Sequence, residues 1–578
     1  EAARIRGLEW KEVVPADLLT REQLQANLEK MVAEEIEPEE IERDTRILRR
    51  LGLLGPDEDP LAMILEMQRE MVAGYYNPKE KKLYLVEGMI GEGQKPVILH
   101  ELIHALEDQY IDLEKRAKRW KEDANRLFAE KCVEEGSAEH ARGLYEKARP
   151  EAARAYRASQ MDPEMMKRQM EVLRKVPAYM LLDTLLQYDF GPKFVARAVG
   201  DDYPGGMKAL YEDPPVSQEM LMHPGRAWFT ENRDYAQKVM WTTDLAELGG
   251  DGWKKLNDLP DGELDLAVYL DFFLGSTRGK LNPLQLMQGK YIVKRAADAA
   301  EGWDGGRAYF LEREGAPIIW VQAYVFDTED DATEAADALL EALKKGAGKD
   351  FEGGAFAPLP TEGAGKGRIA DYMAPQGRGR LMQRGMEVIL VDGVADDLLG
   401  GDLFAALWDA AQATTFEKDP RDTYDPARVP DPFADCIFAD REKGVGMKLP
   451  AEDGWTVEPY DGHPMGVARF SKDAIEGILI AQAMPVTLDM VLPMVEQQLK
   501  AQFPGLEPGD RQESKVGGKK GWRYVMDVPG QAEKRQALYV GQVNGKLLIL
   551  TISAPTADFE DALEVMDEIA DAVFVPIP

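Results

Sequence analysis

Along residues 15–73 the apolar side chains recur at helical spacing. Leu18, Leu19, Leu24, Leu28, Met31 and Val32 form one series, and Ile64, Leu65, Met67 and Met71 form another. The stretch therefore reads as helices, broken at Gly52, Gly55 and Pro56. The period then shortens. Gly74-Tyr75-Tyr76-Asn77 and Lys82-Leu83-Tyr84-Leu85-Val86 are short aromatic and β-branched runs around Asn77-Pro78-Lys79-Glu80, which predicts a hairpin. Pro96 suits a first helical turn, and residues 97–113 follow as a strong amphipathic helix. A second helix is expected from about Asp123 to Lys147, with more helices up to about Leu248.

From about Arg307 strands alternate with helices. Strands are expected at 307–311, 318–325, 368–372 and 387–391, with helices near 331–343 and 403–413 and a Gly-rich stretch at 346–367. Residues 417–432 are rich in Pro and Asp and read as a linker. Beyond them strands are expected near 446–449, 466–470, 478–481, 521–526, 537–543 and 546–552. Helices are expected at 488–503 and 559–573. Residues 307–415 and 443–573 share this rhythm and read as degenerate repeats. The fold class expected is α+β multidomain: a mainly helical domain with an edge hairpin at 1–250, an α+β domain at 251–416, a linker at 417–434 and an α/β domain at 435–578.

Composition narrows the function. A chain of 578 residues is too long for one core. The longest apolar runs, such as 547–552, have strand length and fall far short of the roughly 18–20 residues of a membrane-spanning helix; no transmembrane segment is expected. Net charge is −34, with acid spread along the chain. Phosphate binding needs a basic footprint, so no nucleic-acid partner is expected, and docking on an anionic membrane is disfavoured. Cys132 and Cys436, the two cysteines, form no disulfide framework and leave the compartment undecided.

Chemistry enters at His100-Glu101-Leu102-Ile103-His104. In a helix, an i, i+4 pair aims both imidazoles off one face, so that two nitrogens can hold one Zn²⁺. Glu101 is then placed to take a proton from a water activated by the metal. Such a pentapeptide arises by chance in roughly one chain in a few hundred of this composition, so context has to support it. A catalytic zinc site needs a third protein ligand. The second helix offers Glu135, 31 residues past His104, in the run Val133-Glu134-Glu135-Gly136-Ser137-Ala138-Glu139. Glu139, one turn later, is placed to receive the other ring N–H of a ligand histidine; Asp108, one turn past His104, is its rival.

The run Ala73-Gly74-Tyr75-Tyr76-Asn77-Pro78, then Leu83-Tyr84-Leu85-Val86, then residues 99–109 around the pentapeptide, resembles bacterial secreted zincin metallopeptidases of the gluzincin-like type, with Glu as third ligand. Their Val-Glu-Gly-x-Ala segment matches Glu134-Glu135-Gly136-Ser137-Ala138, which implies that Glu135 and not Glu134 is the ligand. Tyr188-Asp189-Phe190-Gly191-Pro192-Lys193-Phe194-Val195 and the block Asp213–Glu219 with His223-Pro224 are similar to further segments of that family, and weaker likeness runs to about residue 345. The resemblance implies one catalytic Zn²⁺ and a peptide or protein substrate lying along the edge strand at Tyr75 and Tyr76. It also implies a histidine or tyrosine that stabilises the oxyanion, His223 first and Tyr188 second. His140 is expected at the surface, and His463 has no partner in the pattern.

From about Asp435 the residues Gly446-Met447-Lys448-Leu449-Pro450 and Gly454-Trp455, the hairpin at 539–552 and the last helix resemble a PsbP-like α/β domain. That likeness implies a binding domain with a possible protein partner. The leading expectation is a zinc metallopeptidase, endopeptidase rather than exopeptidase, secreted or periplasmic and cell-envelope associated, its signal peptide absent from this chain. The rival is a non-catalytic zinc-containing scaffold or interaction protein of the envelope or an extracellular assembly. A hydrolase of non-peptide amides would share the site.

Overall fold

The computed structural model describes residues 1–421 apart from 88–90, 174, 251, 276–290, 360–366 and 396–402. It also describes residues 433–575 apart from 434, 435, 442, 451–453, 485–487, most of 489–510, 528–530 and 532. The expected linker at 417–434 and the expected helix at 488–503 lie largely outside the described residues. Helices and several sheets are mixed, as the expected α+β layout requires. Two compact units emerge, the first within residues 1–427 and the second within 428–578.

In the first unit a three-stranded sheet has Lys82–Val86 at its centre, antiparallel to Gly74–Asn77 and parallel to Ala16–Leu19. The expectation of helix for Leu18 and Leu19 is thus corrected. Thr20 ends the strand and opens the helix Arg21–Glu35 with a reciprocal capping box, Gln23 N–H to Thr20 Oγ1 and Thr20 N–H to Gln23 Oε1. Local apolar spacing fits both conformations; pairing with residues 83–86, far along the chain, selects the strand.

Three helices make the body behind this sheet: Lys95–Ile111, Ala124–Ala148 and Ala178–Val199. Their shared core includes Leu99, Ile103, Phe128, Cys132, Val133, Leu182, Leu186, Phe194 and Val195. Burying a dozen or so large apolar side chains, at about 1.5–3 kcal/mol each, is what holds the helices in register. Cys132 is fully buried in this core and carries no disulfide.

The same unit contains an eight-stranded sheet. Its path runs Lys254–Asp261, Trp303–Glu312, Ile319–Phe326, Glu387–Val394, Gly377–Arg384, Gly367–Ala374 and Glu352–Gly353, with Ala357–Pro358 also paired to Gly367–Ala374. Every residue of Ile319–Phe326 is buried, because both faces are covered. Helix Glu329–Ala347 packs Ala332, Ala336 and Leu339 on one face; helix Leu403–Gln412 packs Leu407 and Trp408 on the other. Thr415–Glu417 returns to pair with Lys238–Met240. The stretches 1–250 and 251–416, separate in the sequence reading, interlock in one unit.

The second unit holds a seven-stranded antiparallel sheet ordered Thr456–Pro459, Gly466–Lys472, Ile475–Ala483, Lys546–Pro555, Lys534–Val543, Lys519–Asp527 and Gln512–Val516. Helix Phe559–Asp571 covers one face through Phe559, Met566 and Ile569. Both large sheets follow one path. Three strands meander outward, and the chain then resumes at the far edge. It meanders back until the last strand lies beside the third, and a helix follows.

Candidate metal centre

Helix Lys95–Ile111 presents His100 and His104 on one face, and helix Ala124–Ala148 brings Glu135 to them. His100 Nε2 is 3.0 Å from His104 Nε2 and 3.1 Å from Glu135 Oε2; His104 Nε2 is 3.6 Å from the same oxygen. Four ligands about 2.0–2.1 Å from a tetrahedral Zn²⁺ stand roughly 3.3–3.4 Å apart, so this triangle has the size of one face of such a site. Two neutral nitrogens and one carboxylate oxygen are also a donor set that zinc accepts. The residues fit the ion.

Electrostatics points the same way. Burial opposes charge on His100, yet Glu135 and Glu139 outweigh it and push that imidazole up to about 10. Burial would raise Glu135, but His104 and then His100 hold it well below the ordinary carboxylate range. The cluster thus demands positive charge where the three donor atoms meet. Glu101 is raised above its ordinary value by burial, against the pull of His100 and His104.

The surrounding carboxylates divide their work. Glu139 Oε1 lies 2.9 Å from His100 Nδ1, the ring nitrogen turned away from the donor triangle, and Arg142 pairs with the same glutamate. The contact is close but not aligned as a hydrogen bond, and it makes Glu139 the carboxylate that stands behind His100. Asp108, its rival in sequence, does something else. Its Oδ2 accepts from Tyr76 Oη at 2.7 Å and from Lys81 Nζ at 2.8 Å, and its Oδ1 accepts from Leu113 N–H at 2.9 Å. Asp108 ties the hairpin to the helix. Glu134 is taken by Lys131 at 2.6 Å, which leaves Glu135 to face the histidines.

Tyr75 and Tyr76 also have definite places. The Tyr75 ring stacks on Tyr84 at 5.1 Å and belongs to the small core around Leu24. Tyr76 turns its ring inward to Asp108, while its backbone N–H, on the free side of the edge strand, donates to Glu101 Oε2 at 2.9 Å. What this strand offers to the site is backbone rather than tyrosine rings.

His223 is held elsewhere. Its Nε2 is 2.7 Å from Glu263 Oε1, a wholly buried carboxylate, and no hydrogen bond or ion pair links it to the donor triangle. Tyr188 is the aromatic at the centre: its ring stacks over His100 with centroids 6.1 Å apart. Although 45% of the residue is exposed, loss of water around its hydroxyl, and then the charges of Glu135 and Glu101, push its phenol well above the ordinary tyrosine range. His140, expected at the surface, is half-buried against Tyr203 at 4.9 Å. His463 Nδ1 accepts from Met465 N–H in a turn.

Sequence reasoning missed Glu107, which continues the face of the histidines, one turn past His104 and two turns past His100. It is buried, pairs with Arg6, and accepts from Ser137 Oγ at 2.7 Å and Tyr211 Oη at 2.8 Å. A glutamate in a run of Ala105, Leu106 and Asp108 reads as solvated; only the packed helices show it as an anchor.

A family model described as a domain of unknown function (DUF8575) matches residues 259–401, the stretch of the eight-stranded sheet, and does not include the histidine pair. No curated protein matches the chain. Among solved structures, the chain is similar to the solution structure of cyanobacterial PsbP (CyanoP) from Synechocystis sp. PCC 6803. The two are 16% identical over 24% of this chain and 91% of that one, with a TM-score of 0.18, a likeness that carries no argument about the metal centre.

Proposed function

We propose that this protein is a zinc-dependent peptidase, with His100, His104 and Glu135 as the metal ligands and Glu101 as the general base. One observation carries the reading: three donor atoms of the right kinds converge at 3.0, 3.1 and 3.6 Å, with Glu101 beside them. Bound there, Zn²⁺ would polarise a substrate carbonyl and lower the pKa of a water to roughly 7.

The chain's own residues do the rest. Glu101 takes the proton from the attacking water and passes it to the leaving amine. Tyr76 N–H holds only Oε2, and a shift of the carboxylate toward the water would release that donor. That N–H and its neighbours on the strand edge then become available to the backbone of an extended substrate, by strand addition. Tyr188, nearly half exposed above His100, is placed to donate to the developing oxyanion, the role first expected of His223. Glu139, held by Arg142, stands behind His100 throughout.

The same Glu101–Tyr76 contact favours the second reading, a zinc-containing scaffold in which the base stays engaged with the edge strand. Cleavage separates the two. Zinc-loaded wild type should cut an unfolded protein or a peptide library, and Glu101→Gln, with zinc retained, should not. Equal failure of both proteins would leave the scaffold.

A further inference from the structure

Away from the histidine pair, three carboxylates from separated segments meet inside the first unit. Glu219 comes from the short helix Gln218–Met222, whose first turn is capped by Ser217 Oγ on Met220 N–H at 3.1 Å. Asp234 follows the turn in which its own N–H donates to Ala227 O at 3.0 Å. Asp327 is the first residue past the central strand Ile319–Phe326, and its N–H donates to Gly302 O at 2.7 Å. One oxygen from each lies within 4.8 Å of the other two, and the residues are 0%, 0% and 6% exposed.

An acidic cluster alone would mean little. What distinguishes this one is that neither oxygen of the buried Asp327 carboxylate has a hydrogen-bond partner, and Glu219 Oε2 has none either. Native proteins rarely leave such atoms unsatisfied, and a buried carboxylate without a partner is among the most costly groups to fold away. Arg226 reaches Glu219 Oε1 at 3.2 Å, on the oxygen opposite the unsatisfied one. His223 is already committed to Glu263, whose second oxygen is buried and unpartnered too. Arg226 and His223 are thus engaged with Glu219 Oε1 and Glu263 Oε1, and neither is hydrogen-bonded to the Asp327 carboxylate.

We propose that Glu219, Asp234 and Asp327 form a second, buried site for a hard divalent cation, for which Ca²⁺ is the best fit. An all-oxygen donor set selects hard cations over zinc. Ligands on opposite sides of Ca²⁺, at 2.3–2.6 Å each, stand about 5 Å apart, so oxygens within 4.8 Å can share one ion. Mg²⁺ holds its ligands closer and keeps more of its water, which suits so buried a pocket less well. The ion would pin residues 219–234, beside the helical body, to the strand end at 327. It would thereby fasten together the two stretches that the sequence presents as separate domains. This site does not depend on the peptidase reading.

The test uses the full chain, freed of metal and then titrated with CaCl₂ and, separately, MgCl₂, followed by calorimetry and thermal unfolding. The expected result is saturable binding of one Ca²⁺ per chain with a rise in Tm. Asp327→Asn, close in shape, should fold and bind Ca²⁺ at least about tenfold more weakly; Glu219→Gln should do the same. The wild-type titration decides the matter even if a variant fails to fold. Absence of saturable binding of either ion by wild type, or an unchanged Ca²⁺-dependent rise in Tm in Asp327→Asn, would overturn the proposal.

Discussion

Gly136 and Gly191 let two helices meet backbone to backbone. A Cβ on Gly136 would stand 2.4 Å from Gly191 O, and one on Gly191 would stand 2.2 Å from Cys132 O. Glu135 directly precedes the first glycine, and Tyr188 lies one turn before the second. The contact therefore sets both Glu135, the proposed third ligand, and the ring over His100. Gly136→Ala should force the helices apart, destabilising the protein by about 1–3 kcal/mol and weakening zinc binding. Denaturant unfolding and a zinc competition titration check it; normal zinc affinity in a folded variant would show that the close approach does not position Glu135.

Glu139 and Asp108 should separate cleanly. Glu139→Gln removes the carboxylate behind His100 Nδ1 and should lower zinc affinity by about 10–100-fold. Asp108→Asn loosens the hairpin from its helix and should leave zinc affinity nearly unchanged while lowering Tm. Competition against a chromophoric chelator reads the first effect and thermal unfolding the second. Equal losses of zinc affinity would mean that Asp108 also supports the ligands.

Tyr188→Phe should keep zinc content and KM and reduce kcat by about 10²–10³, the usual cost of losing one oxyanion donor. His223→Ala should instead act on stability, because it strips the partner from the buried Glu263; a loss of roughly 1–3 kcal/mol is expected. Steady-state kinetics beside urea unfolding distinguishes them. A kcat loss confined to His223→Ala would return the oxyanion role to the histidine.

The legible parts of the site were local ones. An i, i+4 histidine pair fixes its own geometry once the helix forms, and Glu135 next to Gly136 carries a recognisable pattern. Tyr188 and Gly191 become meaningful only when helix Ala178–Val199 lies against helix Ala124–Ala148, which spacing within either helix does not specify. The strand Ala16–Leu19 carries helical spacing locally, and the partner that makes it a strand is far along the chain, at 83–86. Strands Lys254–Asp261 and Gly377–Arg384 have no local signature, because Lys, Asp, Gly and Arg carry no strand signal and pairing with neighbours in the sheet outweighs propensity. Glu219 lies in a short helix and Asp234 and Asp327 in separate connecting segments, so no short sequence window contains all three.

The central claim, a zinc ion held by two histidines and a glutamate, is tested most directly by metal analysis of the purified chain and its ligand variants. Wild type and Glu101→Gln should each carry one zinc per chain, while His104→Ala and Glu135→Ala should each lose it without losing the fold. A wild-type chain that takes up no stoichiometric zinc, or a His104→Ala chain that still holds one, would contradict the account.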